Sequence, residues 1–395
     1  PGRLSDGRIQ RGFGMTPAAR LSAAITVLDR ILAGDAAEKA LTNWGRASRY
    51  AGSGDRAAVR DLVFDALRQR QSAAALGGGL TGRGLVLGLA RAQGQEALFS
   101  GEGHAPAVPG PDDAGRTPDA TEALDLPGWL LPDLHRSLGD RLPAVAAAMR
   151  SRAPVFLRVN LRKTDPAGAA AALAADGIMA VPHPLAATAL EVTANARKLQ
   201  TSAAHLDGLV ELQDAASQAV TEMLPLSGGM RVLDLCAGGG GKTLAMGARA
   251  DLQLFAHDIQ PRRMADLPER ARRAGLRVRL TDAPKAEAPF DLVLVDAPCS
   301  GSGSWRRDPE GKWALTPDRL ANLGQVQADL LLQAARLVRP GGWLGYATCS
   351  LLEVENGDRV AGLLVDNPDW TLRQDRRLTP LDGGDGFYMA LLQHG

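Results

Sequence analysis

The spacing of apolar residues changes several times along the chain, and each change marks a different kind of element. Near the start, Leu21, Ala24, Ile25, Leu28, Ile31 and Leu32 recur at helical spacing behind Thr16-Pro17, a capping residue followed by a first-turn proline. A second helical pattern, carried by Val59, Leu62, Val63, Ala66 and Leu67, predicts a helix over 55–70, and a third predicts one over 85–97. Trp44, Arg46, Arg49 and Tyr50 sit between the first two. Over 100–127 the periodicity stops. Pro106, Pro109, Pro111, Pro118 and Pro127 fall there among acidic residues, a composition that reads as a linker. A helical stretch over 128–149 follows. Strand candidates at 155–159, 178–181, 189–192 and 208–212 then surround an alanine-rich helix over 165–176, which predicts a small α+β unit. A helix over 214–224 leads into the last region.

From Met230 the pattern becomes strand, turn, helix, repeated. Strands are expected at 231–235, 252–256, 277–280, 292–295 and 342–347, and the run 292–295 lacks polar alternation, as strands covered on both faces do. Amphipathic helices lie between them, the clearest over 328–338, stopped by Pro340-Gly341. A final run at 387–392 is expected as an edge strand. This alternation predicts a doubly wound, parallel α/β sheet. The division expected is a helical domain over 15–99, a linker over 100–127, a helical segment plus α+β module over 128–227, and the sheet domain over 228–395. Residues 1–14, ahead of Met15, are set aside as a leader or tag.

Composition narrows the function. The 395 residues carry a net charge of +1, so any nucleic-acid surface must be local. The 3 cysteines cannot form a disulfide framework and suit a reducing cytoplasm. No apolar run reaches membrane-spanning length. His104, His135, His183, His205, His257 and His394 show no ligand spacing, so no metal site is expected.

The chemistry collects at strand ends, where open α/β sheets place their ligands. The first strand of the sheet domain runs into Asp234-Leu235-Cys236-Ala237-Gly238-Gly239-Gly240-Gly241-Lys242-Thr243. Its Gly-Lys-Thr resembles the end of a phosphate-cradling loop, but Cys236 occupies the position where that loop needs its first glycine. The dinucleotide fingerprint also fails, for want of its third glycine. An S-adenosylmethionine loop remains, with the glycines passing under methionine and ribose. The second strand ends in His257-Asp258, suited to ribose hydroxyls, and the third in Thr281-Asp282, suited to an adenine amine. The fourth and fifth end in Asp296-Ala297-Pro298-Cys299 and Thr348-Cys349-Ser350. Pyrimidine C5 accepts a methyl group only after a thiolate has added to C6, and an acid such as Asp296 suits the N3/N4 edge of cytosine.

These segments, DLCAGGGGKT, HDIQPRR, TDAP, DAPCSGSG and ATCS, resemble in order and spacing the Nop/Sun (RsmB-like) RNA cytosine-C5 methyltransferases. The resemblance covers residues 200–395. It implies a Rossmann-like class I methyltransferase domain with a seven-stranded, mostly parallel sheet, preceded by an all-α NusB-like domain and a small α+β RNA-binding module. It implies S-adenosylmethionine as cofactor, RNA (ribosomal above all) as partner, no membrane and a monomer. By position, Cys349 matches the nucleophile, Cys299 the thiol that assists product release, and Asp296 the acid facing base and cofactor. Cys236, Ala237, Gly238, Gly239, Gly240, Gly241 and Lys242 match the cofactor loop, and Asp258, Arg263 and Asp282 its ribose and adenine side. The family's usual Ala-Pro is replaced here by Gly238-Gly239, which implies a more flexible loop. Among the basic residues, Arg150, Arg152, Arg158, Arg162 and Lys163 suit phosphate contacts or a solvated face. Trp305, Arg306, Arg307 and Trp313 suit either a substrate strand or the core. Two other readings stand beside an RNA methyltransferase: an RNA-binding assembly factor with a vestigial methyltransferase domain, and a small-molecule methyltransferase.

Overall fold

The structure, a computed structural model, describes residues 14–395, so the expected leader lies outside it apart from Gly14. The chain forms two compact units, the second being Trp129–Gly395.

In the first unit, helices Pro17–Leu32, Ala37–Ala47, Ser53–Arg68, Arg70–Gly77 and Gly82–Ala92 enclose one apolar core that includes Leu28, Val63, Leu85 and Leu87. Thr16 caps the first helix by accepting from the Ala19 amide at 3.1 Å. Helix Ala37–Ala47 was not expected. It begins at Ala36 with no side-chain cap, so the sequence carries no start signal for it. Glycines set the approach of the last two helices: a Cβ on Gly88 would lie 1.9 Å from the Ala73 carbonyl oxygen.

Residues 100–127 are not a free linker. Prolines keep the segment irregular, but its acids are partners for the helices. Arg83 donates to both Asp113 oxygens at 2.9 and 2.8 Å and holds that carboxyl down at about 2. Asp125, fully buried, accepts from the Gln71 amide at 3.0 Å and the Ser72 amide at 2.9 Å. It also accepts from the Ser72 hydroxyl at 2.7 Å, so it anchors the strap to the first turn of helix Arg70–Gly77.

The second unit holds two sheets. The smaller contains β1 (Val155–Val159), β2 (Met179–Pro182), β3 (Ala189–Ala194) and β4 (Val210–Leu212), ordered β2-β3-β1-β4 with every pairing antiparallel. Helix Pro166–Ala175 packs on it through Ala169 and Leu173. The larger contains β5 (Arg231–Asp234), β6 (Gln253–Ala256), β7 (Val278–Leu280), β8 (Phe290–Asp296) and β9 (Val338–Thr348). It is completed by β10 (Trp370–Leu378) and β11 (Phe387–His394), in the order β10-β11-β9-β8-β5-β6-β7. It is the expected seven-stranded α/β sheet: β9, β8, β5, β6 and β7 run parallel, and β11 pairs antiparallel with both β9 and β10, so that β11 alone runs against the rest.

One strand expectation is corrected. β11 is not an edge strand; it lies between β9 and β10 with Tyr388, Met389, Ala390 and Leu392 buried. The edge is β10, whose sequence WTLRQDRRL is exposed almost throughout and shows no core pattern. Charge on an exposed edge strand opposes pairing with another chain. Helix Pro317–Ala335 starts earlier than expected, at the Thr316 cap, and covers one face of β8 and β9.

The small module is tied to the large sheet by polar side chains. Asn160 donates to the carbonyls of Gly208 and Ala274, both at 3.0 Å. Arg158, 3% exposed, donates to the Gly241 carbonyl at 2.6 Å, and Lys163 to that of Arg273 at 2.7 Å. Arg270 and Arg273 both pair with Glu211 on β4, at 3.0 and 2.5 Å. Arg158, Lys163, Arg270 and Arg273 therefore hold structure together and are not free for phosphate. Among the described residues no single helix is long and apolar enough to cross a membrane.

Asp125→Ala removes a buried carboxylate from three donors and is expected to cost roughly 3 kcal/mol. Thermal melting and limited proteolysis test this: the first unit should melt earlier and be cut within 100–127.

Candidate active site

The site is built at the carboxyl ends of three neighbouring parallel strands, β9, β8 and β5. Register aligns Asp296 on β8 with Ala347 on β9, and the Ala297 amide continues the ladder to the Ala347 carbonyl at 2.9 Å. The two segments then continue side by side, each carrying a cysteine a few residues on. Cys299 Sγ and Cys349 Sγ lie 3.3 Å apart, although 50 positions separate them in the chain. Both are partly exposed.

The two thiols are not equivalent. Contact between the two sulfurs, with burial, pushes the Cys299 pKa well above the ordinary thiol range. The same contact holds the Cys349 pKa below that range against burial and Asp296, with Lys242 and Ser304 assisting. The arrangement favours a thiolate on Cys349 and a proton on Cys299.

β5 ends in Asp234 and continues into the glycine loop and helix Gly241–Arg249. Gly238 and Gly240 have φ of 51° and 79°, the left-handed region in which glycine is favoured. A Cβ on Gly240 would come within 2.2 Å of Leu267. The loop is pinned despite its glycines, since Asp258 accepts from the Gly238 amide at 3.0 Å and Arg270 donates to the Gly239 carbonyl. The flexibility inferred from Gly238-Gly239 is thus restrained by contacts from the neighbouring strand end and helix.

Lys242 extends from this helix to Asp296, with Nζ 2.7 Å from Oδ2. Burial works against its ammonium, but Asp296 beside it keeps the pKa above the ordinary lysine value. Asp234 is buried; its Oδ2 accepts from the Thr243 hydroxyl at 2.6 Å and its Oδ1 has no partner. Burial pushes the Asp234 carboxyl up to about 7, against the Thr243 hydrogen bond. Cys236, at the mouth of the loop, is pushed up by burial and then by neighbouring acids, which makes it a poor nucleophile.

Asp258 is 3% exposed. Its Oδ2 takes the Gly238 amide and Arg263, both at 3.0 Å, and its Oδ1 takes the Gln260 amide at 2.9 Å. Of a carboxylate's roughly four acceptor positions, one on Oδ1 remains for a ribose hydroxyl. Asp282 is exposed at the end of β7, and no hydrogen bond among the described residues joins it to the other site residues. The structure therefore brings together Cys299, Cys349, Asp296 and Lys242 in one group, and Asp258, Arg263 and the glycine loop in another beside it. An open strand-end loop, one spare acceptor on Asp258 and an unpartnered buried oxygen on Asp234 fit an adenosine-type ligand. Among the described residues no group of three His, Cys, Asp or Glu side chains is placed to hold a metal.

Two of the proposed substrate-facing residues are instead structural. Trp305 and Arg306 are 2% and 4% exposed, and Arg306 pairs with Asp385 at 2.8 Å. Arg307 joins Asp385 and Asp214 at 2.6 and 2.7 Å. Conversely, the serines following each cysteine and the buried Glu355 beneath them were not singled out from sequence. Their only signal was the repeated Cys-Ser pair.

Comparisons with known proteins bear on the family and the fold. Residues 221–393 match a family described as 16S rRNA methyltransferase RsmB/F, and residues 126–197 match the ferredoxin-like domain of RsmF/B-like methyltransferases. The chain is similar to the ribosomal RNA small subunit methyltransferase B of Salmonella typhi, 33% identical over 67% of this chain and 66% of that protein. It thus spans just under two thirds of the length of that relative. Among solved structures, the protein PH0851 has a TM-score of 0.76 at 23% identity, over 96% of this chain and 99% of its own. A methyltransferase homolog from Pyrococcus horikoshii has a TM-score of 0.62 at 25% identity, over 71% of this chain and 100% of its own.

Because its folded pKa lies above its unfolded one, Asp234 adds stability that is complete below about 4 and lost as pH rises through about 7. Melting temperature measured across that window should therefore carry a falling component, and Asp234→Asn should remove it. An unchanged profile in the variant would contradict the assignment.

Proposed function

Since the chain belongs to the RsmB/F family of S-adenosylmethionine-dependent methyltransferases, we propose that it methylates C5 of a cytidine in ribosomal RNA through a covalent adduct of Cys349. The observation that carries this reading is the 3.3 Å contact between two thiols beside the Lys242–Asp296 pair. The glycine loop with Asp258 would hold the cofactor's adenosine, and Asp296 with Lys242 would face both base and cofactor.

The chain's own residues do the following. The Cys349 thiolate adds to C6 of the flipped-out base, forming an S–C6 bond and moving the C5=C6 electrons toward C5. Asp296, hydrogen-bonded to the N3/N4 edge, stabilises the charge that develops on the ring. Held by the glycine loop and Asp258, S-adenosylmethionine would supply an electrophilic methyl group to C5, a C5–CH3 bond forming as its S–CH3 bond breaks. The C5 proton must then leave to a base; its electrons restore C5=C6 and expel the Cys349 thiolate. Cys299, in contact with the departing sulfur, assists that release. A cytidine inside a duplex cannot reach a strand-end site, so the target is expected in an unpaired or extruded position. The small module, whose first three strands fall within the match to a ferredoxin-like domain, is read as carrying RNA contacts, and the first unit as a NusB-like docking domain.

Cys349→Ala should lower methyl transfer to unmethylated small-subunit rRNA by at least about a thousandfold. Cys299→Ala should instead leave protein joined to RNA on a denaturing gel. Retained activity in Cys349→Ala, with no adduct in Cys299→Ala, would sink the assignment.

A further inference from the structure

Beneath the two cysteine loops lies a carboxylate to which the mechanism above gives no part. Glu355 is fully buried. No ion pair with Lys or Arg is formed by it among the described residues; its partners are neutral donors. Oε1 accepts from the Ser300 amide at 2.8 Å and from Gln327, on helix Pro317–Ala335, at 3.0 Å. Oε2 accepts from the hydroxyls of Ser300 and Ser350, both at 2.5 Å. One oxygen atom therefore bridges the residue after Cys299 to the residue after Cys349.

The surroundings reinforce this bridge. Gln327 also donates to the Pro298 carbonyl at 2.9 Å, and the Tyr346 hydroxyl donates to the Glu355 carbonyl at 2.6 Å. Ser302 and Ser350 hydroxyls lie 3.0 Å apart. Asn356 ties the second loop down, donating to the Ser350 carbonyl at 2.9 Å while accepting from Thr348 at 2.5 Å. Burying an unpaired carboxylate is costly, and a serine–amide network is a weak substitute for a cation. A glutamine would fill the same space, so an acid in this position, bonded to both cysteine loops, points to a role at the thiols.

We propose that Glu355 is a positioning residue for the thiol pair. Through Ser300 and Ser350 it holds both loops at one spacing, and its negative charge keeps the shared proton on Cys299, so that Cys349 is the sulfur free to attack. The charges facing the pair are then ordered: Glu355 binds the Cys299 loop through both the amide and the hydroxyl of Ser300 and the Cys349 loop through the Ser350 hydroxyl alone, while the Lys242–Asp296 pair acts on Cys349. Arg359 acts on Tyr346 and donates to the Gly324 carbonyl at 3.4 Å. The catalytic part of this inference rests on the function proposed above; the ordering of the thiols does not.

The test compares the full chain with Glu355→Gln, which keeps the shape and removes the charge. Brief treatment with iodoacetamide at neutral pH, read by peptide mass spectrometry, gives the ratio of Cys349 to Cys299 labelling, with Cys236 as internal control. The ratio should fall at least about fivefold in the variant while Cys236 labelling is unchanged. Methyl transfer should fall at least about tenfold in kcat with KM for RNA within about twofold. A wild-type ratio and kcat in folded Glu355→Gln would overturn the proposal. Should that variant fail to fold, Ser300→Ala and Ser350→Ala each delete one hydroxyl from the bridge, and an unchanged ratio in both overturns it equally. If the wild-type chain transfers no methyl group to RNA yet the labelling ratio still shifts, the proposed function fails and the thiol ordering stands.

Discussion

The parallel pairing of β8 with β9 is the constraint on which the site depends. It is buried on both sides: Val293 and Val295 pack against helices Pro317–Ala335 and Gly357–Asp366, while Leu292 and Leu294 pack against helix Ala215–Glu222. With both faces covered, a slip by one residue would exchange the two apolar sets and is opposed by the whole core. That fixed register sets Asp296 beside Ala347 and brings the following turns together. The sulfur atoms meet because the strands beneath them cannot move independently.

Around this frame the charges are graded by burial. Asp234 lies deepest with one unpartnered oxygen, Lys242 reaches past it to Asp296, and Asp296 is the partly exposed member facing outward. Charges this close in a low-dielectric setting bias each other's protonation strongly. A lysine that stays charged while buried needs an acid beside it, and an acid meant to meet a ligand must keep some exposure. One ion pair meets both requirements.

Polar contacts join the small module to the sheet domain alongside an apolar cluster that includes Phe156 and Ala189. Asn160, Arg158 and Lys163 donate to backbone carbonyls, and Glu211 gathers Arg270 and Arg273. Such bonds are directional and specify one orientation where an apolar patch would tolerate sliding. Arg270 also holds the Gly239 carbonyl, so one side chain links β4 to the glycine loop. A disturbance of the module would therefore reach the loop directly.

Much of the sheet domain was legible in the chain itself. Apolar runs without alternation have no other use than burial on both faces, and acids, glycines and cysteines immediately after them fall by geometry at one sheet edge. What escaped did so because its meaning lay in partners distant along the chain. β10 reads as loop because an edge strand needs no apolar face, and helix Ala37–Ala47 has no capping residue to announce it. The strap over 100–127 looks unstructured until Asp113 and Asp125 meet Arg83 and Ser72. Glu355 is one acid among many in sequence. The sequence by itself determined which strands form and what chemistry stands at their ends, since both follow from local pattern. Only the tertiary structure decided that the two sulfurs touch and which carboxylate lies beneath the pair, because those depend on side chains packed together across 50 or more positions of chain.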